Sequence, residues 1–177
     1  GPSAGKAGML ILKGKRPRHV IVVAPQASPV ERKAATELAR YLKKITGVAF
    51  PVIRPCARGR RPCIAVGPGA GLAAGLLKRP PTGLGDEGIL CRTVGDSLVL
   101  CGGAGASRGT LYAVYAFLED MGCRWWTANA EYVPQRQNLA LPPIDRRYVP
   151  PFEYRECLYH KACDPAWAAR NHTNAFA

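Results

Sequence analysis

Hydrophobic and polar positions follow two different periods in the first 50 residues. The run HVIVVA (19–24) is apolar except for its histidine and has the length of a buried strand. In the next segment, SPVERKAATELARYLKKITG (28–47), the lysines and arginines lie away from one apolar face. That face consists of Ala34, Leu38, Leu42 and Ile45. The pattern predicts a strand followed by an amphipathic helix that covers a sheet.

Both ends of this helix carry sequence signals. Ser28 is suited to cap the amino end, Pro29 follows at the first helical position, and Glu31 completes a capping box. Gly47 is the residue type that ends helices in a left-handed conformation. We therefore expect the helix to begin and end at these positions.

The next elements alternate in the same way. AFPVIR (49–54) and CIAVG (63–67) are typical of short strands, and PGAGLAAGLLK (68–78) predicts a weak helix that glycines interrupt. GILCRTV (88–94) and SLVLCG (97–102) flank the turn pair Gly95-Asp96, which predicts an antiparallel hairpin.

A second amphipathic helix is predicted from Ser107 to Met121, because Leu111, Val114 and Leu118 recur at helical spacing before the stop at Gly122. CRWW (123–126) then returns to extended chain, and NLALPPI (138–144) predicts one more strand. Together the elements predict an α/β (α+β) fold: a mixed β-sheet with an antiparallel hairpin, covered by two to three helices.

This fold would occupy residues 9–142. Residues 1–8 resemble the remnant of a cleaved tag and are left out of the fold prediction. Residues 143–177 begin with a proline-rich connector, after which a strand and a helix start afresh. The chain offers this last helix no further segment to pack against.

Charge is concentrated at one end of the chain, which carries a net charge of +13 over 177 residues. Residues 1–62 hold 14 lysines and arginines against two acids, whereas residues 63–177 hold 11 against ten. The basic residues fall in turns and on the polar side of the first helix, so we interpret them as a solvated surface and expect no nucleic-acid partner. No apolar run approaches the roughly 18 residues of a membrane span.

Seven cysteines are present, and Cys91, Cys101 and Cys123 lie in apolar runs where cysteine acts as a small hydrophobe. The odd number leaves the disulfide pairing and the redox compartment open. Cys157, His160 and Cys163, with His172 further on, have zinc-ligand chemistry, but their spacing matches no common zinc pattern. We expect no metal site, and metal-free folded protein would exclude one.

GGAGASRG (102–109) has the glycines of a phosphate-binding loop, yet Arg108 stands where the third glycine of a dinucleotide fingerprint belongs. We therefore expect no nucleotide cofactor. Glu153 and Glu156 would point to opposite faces of a strand, so no convergent carboxylate pair for hydrolysis is evident. We expect Trp125 and Trp126, which follow a helix stop, to be buried, although exposed tryptophans stack on sugars or bases.

The order of these motifs resembles one domain type. SPVERKAATELARYLKKITG, CIAVGP, the stretch from Gly88 to Pro134, and PPFEYRE are similar to the N-terminal α/β domain that precedes the catalytic barrel in glycoside-hydrolase-like proteins. Its relatives are the N-terminal domains of α-glucuronidases, those of β-N-acetylhexosaminidases, and a large bacterial family of uncharacterised proteins, which is the most similar.

The resemblance implies a non-catalytic accessory domain followed by a truncated (β/α)8 barrel start in residues 143–177. The chain alone would then lack activity, its parent would be a glycoside hydrolase or hydrolase-like protein acting on carbohydrate, and its main partner would be the catalytic barrel. An extracellular or periplasmic location would follow from the same resemblance.

The resemblance also implies sugar-binding residues. Arg155 in FEYRE (152–156) matches an arginine that hydrogen-bonds the terminal sugar in hexosaminidases, although Glu156 replaces the glycine that commonly follows. Trp126 lies at the exit where the domain would meet the barrel, and we name it as a second candidate. A free-standing module that binds an acidic polysaccharide or a nucleic acid through Trp125, Trp126 and Tyr159 is the alternative.

Overall fold

The computed structural model describes residues 9–55, 61–151, 155 and 164–173. In chain order its elements are β1 (Met9–Lys13), β2 (Arg16–Pro17), β3 (Val20–Val23), α1 (Pro29–Thr46), β4 (Val52–Ile53), β5 (Cys63–Val66), α2 (Pro68–Ala73), β6 (Ile89–Val94), β7 (Ser97–Cys101), α3 (Gly109–Asp120), β8 (Arg124–Thr127), β9 (Ala130–Tyr132), β10 (Leu139–Leu141), β11 (Asp145–Tyr148) and α4 (Pro165–Arg170).

The main sheet has six strands in the order β11-β6-β7-β5-β3-β4. The pairs from β7 through β5 and β3 to β4 are parallel, whereas β6 pairs antiparallel with both β7 and β11. The hairpin closes tightly around Gly95-Asp96, with Val94 opposite Ser97. The predicted mixed sheet with an antiparallel hairpin is confirmed.

Strand alternation gives the sheet two apolar faces. Ile21, Ile64 and Leu98 are fully buried on the face that α1 and α3 cover. Val22 and Val99 point to the opposite face, where the short α2 and Leu84 pack. Because parallel strands sit between helices on both sides, they consist of continuous apolar runs, which is the pattern seen in the sequence.

Helix α1 begins and ends where its signals predict. The Glu31 amide donates to Ser28 Oγ at 3.2 Å, and the Ser28 amide donates to a Glu31 carboxylate oxygen at 2.6 Å. At the other end Gly47 adopts φ 73°, and its amide donates to the Lys43 carbonyl. The capping box and the left-handed stop are both confirmed.

Two predicted elements are shorter than expected. The strand from Ala49 to Arg54 reduces to Val52–Ile53 at the sheet edge, and the helix predicted over residues 68–78 ends at Ala73. Gly75, at φ 70°, turns the chain there. Neither boundary could be read from apolar periodicity, since both segments remain apolar beyond their true ends.

Strands β1, β2 and β10 form a separate three-stranded sheet, and β8 pairs with β9 as a two-stranded hairpin. Strand β11 was not predicted, because its sequence DRRY is exposed throughout and shows no alternation. It lies within residues 143–177, whose assignment to a connector and barrel start stays a prediction. Within the described ranges, no helix combines the length and hydropathy needed to cross a membrane.

The expectation that the last helix would find nothing to pack against is wrong. Ala168 of α4 is buried, and Trp167 and Ala169 pack against the main core. Helix α4 contacts α3 and β8. The surface it uses is supplied by elements that end at least 38 residues earlier, which sequence adjacency could not reveal.

Candidate functional site

The glycine-rich segment before α3 is tightly packed. The amides of Arg108 and Gly109 both donate to the Asp86 carbonyl, at 3.1 and 2.8 Å, and the Gly102 amide donates to Thr110 Oγ1 at 3.0 Å. A Cβ added to Gly109 would lie 2.5 Å from the Gly88 carbonyl oxygen. These three amides are therefore already bonded, and Gly109 allows close backbone approach.

A cleft of about 610 Å³ lies between α3, β11 and the C-terminal residues Arg155 and Asn171 to Thr173. We call it the α3 cleft. Its wall combines charged and aromatic side chains from the sheet, from α3 and from the C-terminal segment, and these include Glu87, Tyr112, Glu119, Arg146, Arg155 and His172.

Arg155, predicted to bind a sugar, lies in the wall of this cleft. Its Nη2 atom makes an ion pair with Glu87, and its Nε atom donates to the His172 carbonyl at 2.9 Å. Glu87 also accepts from Arg108 Nη1 at 3.2 Å. The Arg155 and Glu87 side chains are 19% and 13% exposed, so this charge-assisted pair is shielded from water.

His172 closes the same cleft in an unusual backbone conformation, with φ 56°. Its ring meets Tyr112 edge to face at 5.2 Å, and its Nε2 lies 3.6 Å from a Glu119 carboxylate oxygen. Burial, and after it the charge of Glu87, raises the pKa of the Tyr112 hydroxyl. That hydroxyl donates to the Thr173 carbonyl at 3.5 Å, so the hydroxyl is neutral and hydrogen-bonded.

The exit from α3 is anchored by an aromatic cluster of Tyr41, Tyr115 and Trp125. The Trp125 ring meets the two tyrosine rings at 5.4 and 5.5 Å. The Trp125 carbonyl accepts from Trp167 Nε1 at 3.2 Å and from Asn171 Nδ2 at 3.1 Å. One residue thus joins the core of the domain to helix α4.

Trp126 lies apart from the α3 cleft. Trp125 is buried as predicted, but Trp126 is 65% exposed, so the expectation that both are buried is wrong for the second. Neighbouring residues of a strand face opposite sides, and only one side of β8 meets the core. The two predicted sugar-binding residues, Arg155 and Trp126, therefore do not converge on one site.

The four cysteines in the described ranges are buried free thiols. Burial raises the pKa of Cys91 and Cys101 to about 12 and that of Cys123 to about 11. Cys63 shifts in the same direction for the same reason. These residues are small hydrophobes of the core, as predicted for three of them, and they lack thiolate reactivity.

Cys157, His160 and Cys163 lie outside the described residues, as does Tyr159. Among the residues that are described, no three histidine, cysteine or acidic side chains gather closely enough to hold a metal ion.

The sequence analysis missed most of the cleft. Tyr112 and Glu119 are seven residues apart on α3, a spacing that puts them on one helix face, and this signal was available. Glu87 and His172 carried no such signal. They are brought to the cleft by a loop before β6 and by the turn after α4, whose positions depend on tertiary packing.

No protein-family model matches the chain, and no curated protein matches it. Among solved structures, the chain is similar to a family GH115 4-O-methyl-α-glucuronidase, BtGH115A, described as having specificity for decorated arabinogalactans. The TM-score is 0.56 at 19% identity. The match covers 77% of this chain and 18% of that enzyme, so it shows a shared fold over a small part of a much longer protein.

Proposed function

We propose that this chain is a non-catalytic accessory domain of a glycoside-hydrolase-like protein and that it supports a catalytic barrel following it. The observation that carries the proposal is the fold likeness, in which 77% of this chain corresponds to 18% of a glucuronidase. A domain of that size leaves most of such an enzyme to other parts. The order of motifs from Ser28 to Glu156 favours the same assignment.

The contacts of the C-terminal segment support a holding role. Arg155 pairs with Glu87, and Arg170 lies 3.9 Å from Glu37 of α1. Two acids of residues 9–142 thus make ion pairs with arginines of the C-terminal segment. Under this proposal, the surface formed by α3 and β8 orients the beginning of the barrel.

Activity measurements test the catalytic part of the proposal. A panel of nitrophenyl glycosides, including α-glucuronide and β-N-acetylglucosaminide, should show no turnover by this chain. Turnover that disappears in an Arg155→Ala variant would contradict it. The coding sequence downstream of Ala177 provides a second test: it should continue for about 250 residues as a (β/α)8 barrel, and an immediate stop codon would contradict a parent enzyme.

The holding role is tested by a double-mutant cycle. Glu87→Gln and Arg155→Gln should couple by about 1–3 kcal/mol in urea unfolding, because the pair is shielded and hydrogen-bonded. The surface pair Arg92 and Asp145, 43% and 70% exposed, is the matched control and should couple by less than about 1 kcal/mol. Equal coupling in the two cycles would remove the support that the cleft provides.

A further inference from the structure

An exposed aromatic pair lies on the outer face of the β8–β9 hairpin. Trp126 is 65% exposed and Tyr132 is 51% exposed. Their ring centroids are 6.4 Å apart, and the ring planes are tilted by 34°. Exposing large aromatic faces to water costs free energy. The fold does not require this exposure here, because Trp125 alone anchors the strand.

The hairpin that carries this pair is held firmly from its inner side. Glu131 of β9 accepts from the Tyr41 hydroxyl at 2.6 Å and makes an ion pair with Lys44. The register slips between Trp125 and Thr127, so that Trp126 occupies an irregular position of the strand. Even so, Trp126 lies two residues from Arg124, the register partner of Tyr132, so strand alternation puts both rings on the same face of the hairpin, where the held backbone preorganises them.

The patch is small, and this decides what class of ligand it fits. In the described part of the chain, the other large apolar side chains that are exposed lie outside the hairpin, and they are Val52, Ile53, Leu72, Tyr148 and Val149. A stable protein partner buries about 800 Å² on each side around an apolar core. Two amphipathic rings without an aliphatic border are too little for that, but each presents a face on which a sugar ring can stack.

The surroundings of the pair are positively charged. The hairpin, the strand-free segment after it and the last turn of α1 hold one acid, Glu131, and four basic residues, Lys43, Lys44, Arg124 and Arg136. The end of α3, which Arg124 contacts, adds Glu119 and Asp120, but these carboxylates lie against His172 and Arg146. The segments are in contact, since the Arg136 amide donates to the Ile45 carbonyl at 2.7 Å. An anionic ligand would therefore be attracted to the hairpin.

We propose that this aromatic pair binds an acidic polysaccharide, with pyranose rings on Trp126 and Tyr132 and carboxylate or sulfate groups facing the surrounding cations. Single-stranded nucleic acid fits less well, because it requires a continuous basic groove along its phosphates. Here the four basic residues come from three separate segments of the chain. The proposal is independent of whether a catalytic barrel follows the domain.

Affinity electrophoresis and fluorescence titration of the whole chain test it. Polygalacturonate and dextran sulfate distinguish recognition of carboxylates from recognition of sulfates. Neutral dextran represents uncharged polysaccharides, and poly(dT) represents single-stranded nucleic acid. We expect binding to at least one acidic polysaccharide, protection of Trp126 from acrylamide quenching, and a loss of roughly tenfold or more in affinity for Trp126→Ala. Leu72→Ala is the control, since Leu72 is 37% exposed on α2, outside both the hairpin and the α3 cleft, and it should bind normally.

Circular dichroism and melting temperature establish that each variant folds, and Tyr132→Ala provides a second variant of the site. Four results would overturn the proposal: no binding to either acidic polymer, equal binding to neutral dextran, tighter binding to poly(dT), or acidic-polysaccharide binding that Trp126→Ala and Tyr132→Ala leave unchanged. A concentration-dependent dimer lost in Trp126→Ala would instead assign the pair to contacts between copies of the chain.

Discussion

The indole N–H of Trp125 donates to the phenolic oxygen of Tyr41 at 2.8 Å, and the two rings meet edge to face at 5.4 Å. This contact joins α1 to the strand after α3 across 84 residues of chain. The same hydroxyl donates to Glu131, and burial, followed by that hydrogen bond, raises the pKa of Tyr41 to about 12. The neutral tyrosine thus connects the core to the β8–β9 hairpin through two hydrogen bonds.

Removing that hydroxyl should destabilise the protein. Tyr41→Phe leaves the Trp125 N–H without its acceptor and removes one of the two donors to Glu131, so we expect a loss of about 1–3 kcal/mol in the free energy of unfolding by urea. Tyr132→Phe removes a hydroxyl from an exposed ring of the same hairpin and should change stability by less than about 0.5 kcal/mol. Equal effects would show that the buried Tyr41 hydroxyl contributes no more to stability than the exposed Tyr132 hydroxyl.

The two serines that precede helices should differ in importance. Ser28→Ala removes the α1 cap and should lower the free energy of unfolding by about 1 kcal/mol. Ser107 lies before α3, where the Arg108 cap position makes no side-chain capping bond. Ser107→Ala should therefore be neutral within error in the same thermal or urea unfolding measurement. A large effect at Ser107 would contradict the described start of α3.

Two glycines of GGAGASRG should differ in how well they tolerate an alanine, because they differ in how tightly they are packed. Gly109→Ala puts a Cβ 2.5 Å from the Gly88 carbonyl oxygen, so we expect a loss of about 2 kcal/mol or more. Gly103→Ala, in the same segment, meets its nearest atom at 3.4 Å and should be tolerated far better. Unfolding midpoints of the two variants provide the comparison, and a ligand-binding role for the loop would instead leave the stability of both unchanged.

Acid sensitivity should depend on Glu37. Burial would raise the pKa of this carboxyl, but hydrogen bonds from Arg40 and Tyr115 and the charge of Arg170 outweigh it and hold the pKa below its ordinary value of 4.5. Because the folded-state pKa is the lower one, this carboxylate stabilises the fold above pH 4.5, and the contribution disappears as the pH falls through the folded pKa.

Glu37→Gln should therefore lower the free energy of unfolding at pH 7 and flatten its decline below pH 4.5, as measured by urea unfolding across pH 3–7. Asp145→Asn removes a carboxylate that is 70% exposed, and it controls for the loss of one negative charge. An unchanged acid profile in Glu37→Gln would contradict the role of the Arg40, Tyr115 and Arg170 contacts.

The α3 cleft and helix α4 show what the hydrophobic pattern of the sequence cannot predict. Continuous apolar runs predicted the parallel strands, because burial on both faces of the sheet favours apolar residues at every position. They did not predict β11, whose four residues are all exposed and three of which are charged. Nor could they show that α4 packs on α3, since the complementary surface is distant in sequence.

What the sequence determined by itself are the features governed by local chemistry: the capped ends of α1, the tight turn at Gly95-Asp96, and the apolar faces that must meet. What only the tertiary structure decided are the long-range pairings. Arg155 pairs with Glu87 in the wall of the α3 cleft, and Trp125 and Trp126, adjacent and identical in type, have opposite environments. The physical reason is that burial depends on which surfaces the folded chain brings together, and residue type alone does not contain that information.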